Sequence, residues 1–277
     1  GPVADVSVGD LFVGMIIPGM IMASCYILYI LIRCSLRPQD GSSLQQDEDP
    51  VSISEKIKIT FAALLPPLVL IFAVLGSIMF GWAAPTEAAG MGALGSLILA
   101  IVYKKFSLGI LHQTLLKTLK ITCMILLILL GGMMFSGVFI GSGGVAVTTQ
   151  LIEQSQLAPW STLVVFLLIT FLAGFVLEWI SVLLIFIPVF MPIVKAMGYD
   201  PVWFCILFLV VIQTSYLTPP MAPAIFYLRG ISPPEIKLQD MFRGVIPFII
   251  LQLITLAIIA SFPQTVLWLP SKLLGIS

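Results

Sequence analysis

Polar and apolar positions fall in long blocks along this chain, not in the short alternation of a water-soluble helix or strand. Residues 11–32 are almost wholly apolar. A hydrocarbon layer of about 30 Å takes roughly 20 such residues as a helix, so this block predicts a membrane span. Residues 33–58 break the pattern with four acids close together, Asp47, Glu48, Asp49 and Glu55, and read as a solvated linker. Residues 59–80 form a second span, kinked at Pro66-Pro67, and residues 81–85 a tight turn. A third span, 86–103, stops at Lys104-Lys105. Residues 106–120 place Leu108, Leu111, Leu115 and Leu119 at helical spacing with Lys117 and Lys120 among them, which predicts a helix lying on the membrane surface. Residues 121–140, loosened by Gly131-Gly132, and residues 244–262 give two further spans.

Two blocks are interrupted. Residues 160–193 are apolar but hold Glu178 near the middle, with Gly174 before it and Pro188 and Pro192 after it. Two arms of about 15 residues would each reach only about 22 Å, short of a comfortable span. A re-entrant hairpin with its tip near Glu178 fits better. Residues 202–228 are cut by Thr218-Pro219-Pro220 and Pro223, and proline removes a backbone donor and clashes with the preceding turn, so this is a broken helix. The pattern predicts an all-α polytopic membrane protein of about five full spans plus a re-entrant hairpin and a broken helix.

Composition agrees. The chain is 60% hydrophobic and 9% charged, with a mean hydropathy of +1.15. A soluble domain carries about 25% charged residues, so much of this surface must meet lipid. A net charge of zero offers nothing to nucleic acid. The cysteines, Cys25, Cys34, Cys123 and Cys205, show neither a CxxC pair nor zinc-ligand spacing. The chain opens on Gly1-Pro2 without the basic start of a signal peptide, and reads as a fragment or a processed product. With the first linker placed inside, the cytoplasmic side collects 11 of the 13 basic residues and the outside keeps Lys195 and Lys272. That is the bias of the positive-inside rule.

Chemistry is sparse. His112 is the lone histidine, so there is no metal cluster and no Ser/His pair; the chain does not read as an enzyme. Gly141-Ser142-Gly143-Gly144 lacks the Lys-Ser/Thr sequel of a phosphate loop. Glu87 suits a helix start, where a carboxylate meets the positive end of the dipole. The two interruptions, 174–181 and 214–223, are the exception. Irregular backbone at membrane depth survives only when buried in protein or lining a cavity. Secondary transporters build ion and substrate sites from such pieces. Glu178, Ser181, Thr218, Pro219 and Pro220 are the candidates. Glu178 has two readings: an intramembrane functional acid, or a carboxylate that meets water and caps a half-helix.

Four stretches resemble the large membrane subunit of tripartite ATP-independent periplasmic (TRAP) transporters, the DctM-like family. They are Ser7-Val8-Gly9-Asp10-Leu11-Phe12 with Ile17-Pro18-Gly19, then Pro85-Thr86-Glu87-Ala88-Ala89, then Gly174 to Pro192, and Leu217-Thr218-Pro219-Pro220 with Pro247-Phe248. The family usually has Asp where this chain has Glu178, and often glycine where it has Ser215. The resemblance implies a sodium-driven elevator carrier for a small organic acid in the bacterial inner membrane. It also implies a periplasmic solute-binding protein and a small, DctQ-like membrane subunit as partners. Sodium as coupling ion would be held by backbone oxygens of Gly174, Ser215, Thr218 and Met221.

The resemblance divides the chain into residues 1–33, a first span ending a preceding repeat; 34–58, a cytoplasmic linker; 59–105, a helical pair; and 106–277, the transport unit. It begins in mid-family, without the first hairpin and broken helix. The alternative is therefore a truncated, non-transporting membrane subunit. The charge bias puts the first linker in the cytoplasm: a cysteine replacing Gln45 should resist a membrane-impermeant thiol reagent on intact cells and react in inverted vesicles, and labelling from outside would reverse the topology.

Overall fold

The computed structural model describes residues 1, 3–41, 52–154, 158–219, 222–233 and 236–274. Among them it is helical, without strands. The helices are α1 (Val8–Gly14), α2 (Ile16–Leu36), α3 (Ile53–Met79), α4 (Pro85–Val102), α5 (Leu108–Gly141), α6 (Gly144–Gln154), α7 (Pro159–Ala173), α8 (Trp179–Ala196), α9 (Pro201–Ser215), α10 (Pro223–Ile231), α11 (Leu238–Ser261) and α12 (Gln264–Leu274). Among the described residues, six stretches are long and apolar enough to cross a membrane: Val8–Leu36, Ile53–Met79, Pro85–Val102, Leu108–Gly141, Trp179–Ala196 and Leu238–Ser261. The chain is a multi-pass, all-α membrane protein. The acids of the first linker at 47–49 lie outside the described residues.

Two compact units can be separated, one of Gly1–Tyr26 with Ile121–Ser277, the other of Ile27–Lys120. In the smaller unit α3 and α4 pair across a turn in which Gly81 takes φ +70°. Pro85 opens α4, and Glu87 Oε2 accepts from Ala84 N at 2.9 Å, so the acid is a helix-start carboxylate as its position suggested. The helices meet through glycine: a Cβ on Gly95 would stand 2.4 Å from Leu70 Cδ1, and one on Gly92 3.0 Å from Val74 Cγ2. Tyr103 closes the far end by donating to Ala62 O at 3.2 Å.

The larger unit is built around α9. Asp200 caps it, with Oδ1 accepting from Trp203 N at 3.0 Å, and Pro201 supplies a first-turn residue that needs no donor. Phe204, Ile206, Leu207 and Phe208 are fully buried, and Cys205 lies among them as apolar filler. Helices α1, α7, α8, α11 and α12 enclose it. Phe166 of α7 stacks on Phe190 of α8 at 4.1 Å between centroids, tying the two arms of the hairpin. Two buried threonines satisfy their hydroxyls within their own helices: Thr170 donates to Phe166 O at 2.8 Å and Thr255 to Leu251 O at 2.9 Å.

Two expectations change. The surface helix over 106–120 and the span over 121–140 are one continuous helix, α5, of 34 residues. Nothing breaks it: residues 110–130 contain no proline, and Gly131-Gly132 cost propensity without removing a donor. Gly132 instead serves packing, since a Cβ there would stand 2.9 Å from Leu184 Cβ of α8. Second, the hairpin arms are unequal, 15 residues in α7 and 18 in α8, because Pro188 and Pro192 are absorbed within α8. Pro66 and Pro67 likewise sit inside α3.

One contact closes the core. Pro263 has no N–H to pair with Ile259 O, and Trp203 Nε1 donates to that carbonyl at 3.0 Å. Trp203→Phe should therefore lower stability by about 1–3 kcal/mol, the cost of stranding a buried acceptor. Thermal unfolding of the purified protein measures it, and an unchanged midpoint would count against the contact.

Candidate functional site

The site grows from two places where helices stop inside apolar stretches of the chain. Helix α7 ends at Ala173, and the amides of Phe175, Val176 and Leu177 fold back onto Leu172 O and Ala173 O at 2.9–3.2 Å. Glu178 then takes extended backbone and opens α8, its Oε2 accepting from Ile180 N at 2.9 Å. The carboxylate thus lies at the positive end of the α8 dipole. Of the two readings of Glu178, capping is what the geometry displays; the residue is half-buried and also faces a cavity.

The second stop is the end of α9. Pro219 offers no N–H to Ser215 O, Pro220 none to Tyr216 O, and Pro223 none to Pro219 O. Tyr216 O finds a substitute in Ala224 N, at 3.3 Å, across the break. The hydroxyls here turn inward on their own helix: Ser215 donates to Ile212 O at 2.5 Å, and Thr218 to Thr214 O at 2.6 Å. What they leave to other groups is therefore mainly backbone. Ala222, buried, restarts the chain into α10 at φ +28°, a strained value for a residue with a Cβ. Pro220 and Met221 lie outside the described residues.

The two stops meet. A Cβ built on Gly174 would stand 2.9 Å from Ser215 Cβ, so glycine at 174 is what lets the hairpin tip rest on the end of α9. Among the described residues no backbone amide donates to Gly174 O or to Ser215 O. Around this contact lies a cavity of about 200 Å³, walled by Gly174, Glu178, Ser215, Tyr216, Pro223 and Tyr227, with Leu177 and Trp179. Three of the sequence candidates, Gly174, Glu178 and Ser215, thus share one wall. Thr218 is half-buried in the break, Pro219 is exposed there, and Ser181 is half-buried in the first turn of α8; none of the three lines the cavity.

The sequence reading missed the aromatic part of the wall. Trp179 and Tyr216, with ring centroids 6.5 Å apart, follow Glu178 and Ser215 directly. Their adjacency to the two stops was the available signal. Asp10, in the first turn of α1, is an acid buried to 8% exposure, and its amide donates to the Ser7 N-cap. No group of three or more His, Cys, Asp or Glu able to hold a metal occurs among the described residues.

A family model for the DctM component of the tripartite ATP-independent periplasmic transporter matches residues 2–265. The sialic acid TRAP transporter large permease protein SiaM of Vibrio cholerae is 30% identical, over 99% of this chain and 62% of its own length. The C4-dicarboxylate TRAP transporter large permease protein DctM of Pseudomonas aeruginosa is 29% identical, over 97% and 61%. The 2,3-diketo-L-gulonate TRAP transporter large permease protein YiaN of Escherichia coli is 24% identical, over 98% and 62%. The chain spans about three fifths of the length of these curated relatives. All three are named as transporter permease proteins, not as enzymes.

The contact between Gly174 and Ser215 can be tested by a cycle. Gly174→Ala should destabilise the protein by about 1–3 kcal/mol through overpacking. Ser215→Gly removes the opposing Cβ, so the double variant should recover most of that loss in thermal unfolding, whereas simple additivity would mean the two residues do not press on one another.

Proposed function

Because this chain belongs to the DctM component family of tripartite ATP-independent periplasmic transporters, we propose that it is a permease subunit of a secondary transporter in the bacterial inner membrane. Its cargo on this reading is a small organic acid, the class to which the cargoes named for the three relatives belong. A periplasmic solute-binding protein delivers the acid, and a small, DctQ-like membrane subunit completes the membrane part.

The observation that carries the reading is the meeting of the two helix stops. In lipid, a carbonyl without a donor is costly, and evolution of a soluble-like core would have removed it. Here two such carbonyls, on Gly174 and Ser215, belong to residues in contact beside a cavity. Freed carbonyls of this kind suit a monovalent cation, because they supply partial negative charge without a fixed counter-charge. We therefore assign sodium as the coupling ion, with Gly174 and Ser215 contributing free backbone oxygen; Thr218, whose carbonyl accepts from Ala222 N at 3.1 Å, and Met221 are the further positions implied by the resemblance. Glu178 contributes by holding the start of α8 through its bond to Ile180 N.

Reconstitution tests this. Proteoliposomes containing the carrier complex with this chain should take up a labelled organic acid, supplied with its binding protein, when a sodium gradient is imposed. Replacing sodium by potassium should reduce the initial rate at least about tenfold, beyond what loss of one ordinary contact produces. Uptake indifferent to sodium would remove the ion assignment, and absence of uptake of any organic acid would remove the reading.

A further inference from the structure

Two further cavities of the larger unit share Trp160, Ala260 and Ser261, and so adjoin along the side of α7 and α11. The first is an apolar slot of about 410 Å³ between these helices, with buried Val211 of α9 as its floor. Helix α7 lends it one face, through Trp160, Val164, Leu168 and Phe171, and α11 lends Leu253 and Ala257. Val164 and Leu168 are exposed, so the slot opens on the surroundings of the helices. From Trp160 to Phe171 it runs about 16 Å at 1.5 Å per residue. Half of a hydrocarbon layer of about 30 Å is nearly the same length. A helix of that length, about 10 Å across, would occupy on the order of 1,200 Å³. The slot therefore has room for a chain of methylenes and not for a helix.

The second cavity, of about 380 Å³, forms the mouth of the slot and differs in chemistry. Trp160, Tyr199, Asp200 and Ser261 line it. Asp200 is exposed and is the one charged residue lining either cavity. Its Oδ1 holds Trp203 N, and among the described residues its other oxygen has no protein partner. Among the described residues the indole of Trp160 and the hydroxyls of Tyr199 and Ser261 likewise donate to no protein group. Tryptophan and tyrosine favour the level of lipid head groups. The recess thus grades, over one leaflet, from an acid with three free donors to a slot without polar side chains beyond its rim.

We propose that this recess binds one phospholipid with an amine-bearing, zwitterionic head group. One acyl chain lies in the slot between α7 and α11. The ammonium sits beside Asp200, and the phosphate and ester oxygens accept from Trp160, Tyr199 and Ser261. A head group that is anionic and lacks an amine would bring its charge next to Asp200 with no cation between them. The lipid joins the first arm of the hairpin to the last span along a line where the protein leaves a gap. The site needs only the helices of the larger unit, and is independent of what the carrier moves.

The test is native mass spectrometry of the purified, delipidated carrier complex, titrated with phosphatidylethanolamine and phosphatidylglycerol of identical acyl chains. The wild-type complex should bind phosphatidylethanolamine about fivefold more tightly, the upper worth of an exposed ion pair. Asp200→Asn keeps a side chain that caps α9 and removes the charge, so it should bring the two lipids to about equal affinity. Ala257→Phe fills the slot and should weaken both lipids by about tenfold or more, through loss of buried apolar surface. If Asp200→Asn does not fold, Asp200→Ser, which also caps, takes its place; Ala257→Leu does the same for Ala257→Phe. Equal binding of the two lipids by the wild-type complex would overturn the proposal. So would a preference that survives loss of the Asp200 charge, or phosphatidylethanolamine binding untouched by filling the slot.

Discussion

The structure depends on what becomes of carbonyl oxygens that proline leaves without a partner in an apolar interior. Water would satisfy them in a soluble protein; here other protein groups must. Ile259 O, freed by Pro263, is met by the indole of Trp203, and this ties α9 to the end of α11. Tyr216 O, freed by Pro220, is met by Ala224 N, and this fixes the geometry with which α9 passes into α10. Ser215 O, freed by Pro219, is left open, and it is left open beside a cavity. The first two solutions are architectural. The third differs in kind, and it is where the hairpin tip comes to rest.

Glycine and proline divide the labour between them. Proline decides where a helix must stop; glycine decides how near a neighbouring helix may come. Gly174 against Ser215, Gly132 against Leu184 and Gly95 against Leu70 each bring backbones closer than any side chain would permit. Lipid gives helices little hydrophobic incentive to associate, so close van der Waals contact of this kind is what membrane helices rely upon.

Much of this was legible in the sequence because membrane helices are long and their interruptions are chemically blunt. Thr218-Pro219-Pro220 announces a break wherever it falls, and Glu178 after Gly174 marks a turn. The continuity of α5 was not legible, because the amphipathic spacing of Leu108 to Leu119 is the same whether a helix lies on a surface or continues into a span. Which side of Glu178 matters was also hidden: a carboxylate that caps α8 and one that faces a cavity have the same letter, and here it does both.

The two units are held by different solvents. In the larger, α9 carries a run of residues shielded on all sides by its own chain. In the smaller, Ser77 is the residue of α3 that is buried and Ala88 that of α4; Leu70 and Val74 are half-buried against α4, and most of the remaining side chains look outward. Hydrocarbon is therefore the packing partner of α3 and α4 as much as each is of the other. A change of bilayer thickness or a transfer into detergent acts along the whole length of that pair, while α9 meets its surroundings through little beyond Gln213.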